Sequence, residues 1–125
     1  MTSKKQVTDK PNKNNLAVKQ WDIVVVPFPF VDSGLAKPRP VLIVSGDKIN
    51  KSTSHYLAVM ITTAAVTKWV GDTKISNLGQ AGLKVESYIR LKFFTLDMNF
   101  EPRKIGSLSK KDIQSFNKNF SQYIF

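Results

Sequence analysis

The chain contains no cysteine and a single histidine. The first absence excludes a disulfide scaffold, a thiol nucleophile and cysteine-based zinc or iron–sulfur sites. The second excludes a multi-histidine metal centre. Long apolar runs are missing as well: the longest, around residues 23–31 and 56–61, fall well short of the roughly 20 residues that span a membrane. The N-terminus carries charge without a following apolar segment, so it reads as no secretory signal and the chain as a cytoplasmic protein. Acids are scarce. Nine Asp and Glu stand against 19 Lys and Arg, a formal net charge of +10. The nine are scattered singly, with no close carboxylate pair for glycoside hydrolysis or a divalent-metal nuclease. Gly-x-x-x-x-Gly-Lys, Gly-x-Ser-x-Gly and His-Glu-x-x-His patterns are also absent. No cofactor and no metal are expected.

What remains is 125 residues, room for one domain with a real core. The positive balance favours a nucleic acid or another polyanion as partner and attracts acidic proteins. Residues 1–20 hold five lysines against one acid and show little apolar periodicity, so they read as a basic, flexible arm. Residues 21–125 form the domain, and they are basic in their own right.

From Trp21 the sequence reads as short strands separated by turns. Residues 22–28 are a β-branched run whose unbroken Ile23-Val-Val-Val26 implies burial on both sides. A loop with Asp, Ser and Gly turn chemistry follows over 31–38. Further strands are expected at 40–45, 56–63, 74–76, 87–94 and 104–108, with one helical turn within 46–54. The C-terminus changes period. Ser109-Lys-Lys-Asp112 is a capping-box-like start with Asp in place of Glu, and Ile113, Phe116, Phe120 and Ile124 then recur at helical spacing. The expected fold is mainly β: a small, strongly bent barrel or sandwich carrying a C-terminal amphipathic helix.

Few residues are placed to do chemistry. His55 stands in a polar loop, where a solvated histidine is the plainer reading. Lys37-Pro-Arg-Pro40 is sharper, because Pro40 pushes Arg39 toward an extended conformation. A guanidinium is thereby held on a stiff backbone at the root of a strand, suited to charge developing on phosphate oxygens. The plainer reading is a surface arginine at a strand entry.

Trp21-Asp-Ile-Val-Val-Val-Pro-Phe-Pro-Phe30, a Ser-Gly loop and Arg39-Pro-Val-Leu-Ile-Val-Ser45 together resemble the opening of the MazF/PemK-type toxins, small endoribonucleases of toxin–antitoxin modules. Ala58-Val-Met-Ile-Thr-Thr63, Gly82-Leu83, Ser87-Tyr-Ile-Arg90, Thr95-Leu-Asp97 and Lys104-Ile-Gly-Ser-Leu108 continue the resemblance to the end of the chain. It implies an SH3-like compact β-barrel, usually dimeric. It also implies metal-independent cleavage of single-stranded RNA to a 2′,3′-cyclic phosphate, and neutralisation by a small acidic antitoxin. Carried over by position, the catalytic arginine falls on Arg39 and the catalytic threonine on Thr62. Lys37, Thr63, Arg90 and Lys92 are the expected RNA-binding residues. Strand alternation sends Thr62 and Thr63 to opposite faces, so one of them is expected to face the RNA.

One position departs from the pattern. PemK-like relatives commonly carry an acid two residues after the arginine of the fifth strand, and Lys92 stands there instead. That admits a non-cleaving RNA- or DNA-binding regulatory module of the same fold as an alternative. A gyrase-poisoning toxin is the other, but those toxins are marked by a C-terminal Trp-Gly-Ile, whereas this chain ends Gln122-Tyr-Ile-Phe125.

Overall fold

The computed structural model describes residues 18–28, 37–63, 68–100 and 102–125. Residues 1–17 of the basic arm expected over 1–20, and most of the loop at 31–38, lie outside these. The elements run β1 (Asp22–Phe28), β2 (Lys37–Ile43), α1 (Asp47–Thr53), β3 (His55–Thr63), β4 (Thr73–Lys74), α2 (Leu78–Ala81), β5 (Ser87–Asp97), β6 (Arg103–Ser107) and α3 (Lys110–Ile124), with a single 3₁₀ turn at Met98–Phe100. The strands form one curled antiparallel sheet in the order β4-β5-β3-β2-β1-β6, the barrel-like architecture expected.

Period-two alternation builds a core on each side of this sheet. Ile23, Leu42 and Val59 point to one side, with Ile89 and Phe116 of α3. Their neighbours Val24, Val41, Ile43, Ala58 and Met60 point to the other, with Leu96. A strand buried on both faces needs apolar residues at every position, which accounts for the uninterrupted Ile-Val-Val-Val run. The helix lays Ile113, Phe116 and Phe120 on the first cluster, the face that its three- and four-residue spacing implied. Its N-cap is Ser109, whose side chain accepts the Asp112 amide.

Four details differ from the sequence reading. The short β4 is Thr73–Lys74, where a strand over 74–76 was expected. The second strand begins three residues early, at Lys37, and runs through both prolines. The fifth continues to Asp97, pairing His55 at the start of β3. The short α2 was not anticipated. It is capped by Asn77 and terminated by Gly82 at φ +76°, where an added Cβ would sit 2.0 Å from the Ile105 carbonyl oxygen. Gly82 therefore serves both the left-handed turn and the close approach of α2 to β6.

Candidate functional site

The prolines that lengthen β2 also open a cleft beside it. Residues 37–40 pair with β1, Val26 opposite Arg39, but the β2–β3 ladder stops at Val41 opposite Met60. Pro38 and Pro40 have no N–H to carry that ladder further. Beyond Met60, β3 continues on β5 alone, with Thr62 opposite Tyr88 and Thr63 opposite Ser87. The gap between the first half of β2 and the last half of β3 is a cleft of about 490 Å³. Phe28 lines it from β1, Pro38, Arg39 and Pro40 from β2, Met60 to Thr63 from β3, and Ser87, Arg90 and Lys92 from β5.

Five of the six residues singled out in the sequence, Arg39, Thr62, Thr63, Arg90 and Lys92, thus line one cavity. Lys37 is exposed at the head of β2 and does not line it. Both threonines line the cleft, although alternation implied that one would. The cleft wraps over the end of β3 and takes four successive residues as wall, so it draws on both faces of the strand. Thr62 is half-buried and its hydroxyl donates to the Thr63 carbonyl oxygen at 3.4 Å; Thr63 is exposed.

The wall is cationic. Arg39, Arg90 and Lys92 supply three positive side chains, Thr62, Thr63 and Ser87 supply hydroxyls, and among the described residues no carboxylate lines the cleft. Arg39 is exposed on its extended backbone. Arg90 and Lys92, two apart on β5, share a face. The Lys92 ammonium lies 5.9 Å from the Phe28 ring centroid, and that ring packs 5.8 Å from Phe94. Arg90 is ion-paired with Asp72 at 3.0 Å and lies 5.0 Å from the Trp69 ring. Phe28, Ser87, Asp72 and Trp69 are the residues that sequence reasoning missed. Phe28 stood inside a quoted motif, but nothing local tied Asp72 or Trp69 to β5.

His55 is elsewhere. It begins β3 while Thr63 ends it, a separation of roughly 26 Å along the strand. Its Nδ1 lies 2.8 Å from the Thr53 carbonyl oxygen, and its Nε2 4.0 Å from Asp97. It does not line the cleft. Among the described residues no group of three His, Cys, Asp or Glu is placed to hold a metal ion, and no helix is long and apolar enough to cross a membrane.

Fold and cleft define a small basic β-protein with arginines, a lysine and hydroxyls gathered along one cleft. A model of the family described as PemK-like, MazF-like toxin of type II toxin–antitoxin system matches residues 19–124, and the chain belongs to that family. Among solved structures it is similar to an endoribonuclease in complex with its cognate antitoxin from a mycobacterial species, at 16% identity over 86% of this chain and 95% of that one (TM-score 0.66). It is also similar to MazF from Deinococcus radiodurans, at 12% identity over 87% and 97% (TM-score 0.66). A third likeness is to the Mycobacterium tuberculosis toxin MazF-mt6, at 19% identity over 81% and 93% (TM-score 0.62). At such identities these likenesses establish the fold alone. A comparison with curated proteins found no match.

Proposed function

We propose that the chain is a metal-independent endoribonuclease toxin that cuts single-stranded RNA and leaves a 2′,3′-cyclic phosphate. One observation carries the reading. A proline-braced Arg39 and the hydroxyl-bearing end of β3 face one cleft that, among the described residues, no carboxylate lines. In the reaction the ribose 2′-oxygen attacks phosphorus and the bond to the 5′-oxygen breaks. One proton leaves the first oxygen and one is gained by the second. Arg39 meets the charge that grows on the phosphate oxygens, and the Thr62 hydroxyl donates to one of them. Arg90 binds the reacting phosphate from the β5 side, Thr63 and Lys92 hold the flanking RNA, and Lys37 binds it at the cleft's approach. The lone Asp97 and His55 pair takes no part.

The test is cleavage of a mixed single-stranded RNA in excess EDTA, with the product ends identified by mass spectrometry. Cyclic phosphate ends formed in chelator support the proposal. Activity that disappears with chelation and returns with Mg²⁺ refutes it.

A small acidic antitoxin is the proposed partner, because a +10 chain steers an acidic one. A homodimer is supported by exposed Trp69, Val70, Tyr123, Ile124 and Phe125, with Tyr123 against the turn at Gly71; light scattering measures it. The second reading, a module that binds RNA without cutting it, is favoured by Lys92 standing where PemK-like relatives carry an acid. Binding without cleavage in the same assay selects it.

A further inference from the structure

Arg90 is held more firmly than a surface arginine needs to be. Its side chain is 14% exposed and that of Asp72 is 7% exposed. Nε donates to Oδ1 at 3.2 Å and Nη2 to Oδ2 at 3.0 Å, so the guanidinium edge lies on the carboxylate as two parallel bonds. The Trp69 ring covers a face of the same group at 5.0 Å.

Both partners come from one turn, itself fixed at several points. The Asp72 amide donates to the Trp69 carbonyl oxygen at 3.1 Å, and the Trp69 amide returns a bond to Asp72 Oδ2 at 3.0 Å. Gly71 between them has φ +90°, and a Cβ there would lie 2.6 Å from Leu91 Cδ1. The turn is therefore pressed on β5 right beside Arg90. From α3, Asn119 donates to the Asp72 carbonyl oxygen at 3.4 Å and to Thr73 Oγ1 at 2.7 Å, closing the turn's exit.

A buried ion pair is an inefficient source of stability, because desolvation offsets most of its attraction. What this one supplies is orientation. Arg90 lines the cleft and Asp72 does not, so the carboxylate lies behind the guanidinium and aims it without placing negative charge against a phosphate. With Lys92 two residues further along, β5 brings no carboxylate of its own to the cleft.

We propose that Asp72, assisted by Trp69, is a positioning residue that presets Arg90 for contact with the RNA phosphate. The inference rests on the RNA-cleaving reading above. Asp72→Asn is the discriminating variant, since its amide oxygen can still accept the Trp69 N–H while the charge is lost. Single-turnover cleavage at saturating RNA should fall about 10²-fold, the scale of a small misplacement at a reacting centre. The melting temperature should stay within a few degrees, and Arg90 Hε should exchange faster by ¹⁵N NMR. Arg90→Lys combined with Asp72→Asn should be no slower than Arg90→Lys alone. A role in stability alone predicts instead an unchanged saturating rate per folded molecule and losses that multiply in the double variant; either result overturns the proposal. If Asp72→Asn does not fold, Trp69→Leu at the half-exposed ring is judged by the same saturating rate and double-variant comparison. If the wild type cuts no RNA, the nuclease reading fails by itself. The positioning role is then decided by affinity for a random-sequence single-stranded RNA carrying 2′-O-methyl groups throughout. A several-fold weakening in Asp72→Asn supports it and unchanged affinity refutes it.

Discussion

The Asp112 carboxylate near the start of α3 accepts the Ser76 backbone amide with both oxygens at 3.0 Å, across 36 residues of chain. The Ser76 hydroxyl at 2.8 Å, the Asn77 amide at 3.1 Å and the Ser109 hydroxyl at 3.0 Å complete the shell. One side chain thus fastens the terminal helix to the segment between β4 and α2. Burial pushes the Asp112 carboxyl upward, but the donors from Ser76, Asn77 and Ser109 outweigh it and hold its pKa below the ordinary value.

A depressed folded-state pKa means that the carboxylate stabilises the fold above the unfolded value of about 3.9. That contribution is lost as pH falls through the lower folded value. Asp112→Asn cannot satisfy all these donors, and leaving two or more unpaired costs about 3 kcal/mol. The melting temperature should drop by about 10 °C or more at neutral pH. Its remaining pH dependence below pH 4 should be flatter than that of the wild type. Parallel melting curves for the two proteins between pH 2 and 5 would remove Asp112 from the acid transition.

Trp21 adopts φ +74°, a left-handed conformation that costs a residue with a Cβ about 1–2 kcal/mol. Its amide donates to the Ile43 carbonyl oxygen at 2.7 Å and its carbonyl accepts from Leu108 at 2.8 Å. Its ring meets Phe116 edge-on at 6.0 Å. Trp21→Ala and Trp21→Gly both lose the ring, so both should unfold at lower denaturant than the wild type. Only glycine relieves the backbone. The Gly variant should therefore be about 1 kcal/mol more stable than the Ala variant, reversing their usual order. An Ala variant at least as stable as the Gly one would show that Trp21 carries no strain.

The strands were legible where alternation or an unbroken β-branched run announced them, and β1 begins and ends at the residues expected. The early start of β2 was hidden because proline ordinarily marks a loop, yet it is tolerated where a ladder ends at a cleft. That Arg39 and Thr62 share one cleft was legible only through the family resemblance, because nothing local to either residue brings the start of β2 beside the end of β3. The Arg90–Asp72 and Asp112–Ser76 contacts were not legible. They join residues 18 and 36 apart, and no local pattern encodes which turn folds back on which strand. Ser109 could be read as a cap, but its capping partner's wider reach could not.

The two threonines of the cleft can be separated by removing one hydroxyl at a time with little change in shape. Thr62 is half-buried, whereas Thr63 is exposed at the end of β3. A hydroxyl donating to a charged phosphate oxygen contributes about 1.5–3 kcal/mol. Thr62→Val should lower the saturating cleavage rate about 10- to 10²-fold. Thr63→Val should act mainly on affinity, raising the RNA concentration needed for half-saturation. The reverse pattern in single-turnover kinetics would move the catalytic hydroxyl to Thr63.

Arg39 should carry the largest single effect. A preorganised donor aimed at developing charge is worth about 2.7–4 kcal/mol, or roughly 10²–10³ in rate, so Arg39→Ala should lower cleavage by that factor. Arg39→Lys keeps a positive charge but loses the planar fork that spans two phosphate oxygens, and it should recover little of the lost rate. The side chain is exposed, and neither change empties a core position. The melting temperature should therefore move by no more than a few degrees. The backbone conformation set by Pro38 and Pro40 should persist in both variants, which confines the loss to the guanidinium itself. Rates for the three proteins on one RNA, each normalised to folded protein, make the comparison. A well-folded Arg39→Ala that cuts as fast as the wild type would place the reacting phosphate away from β2, against Arg90 and Lys92 on β5.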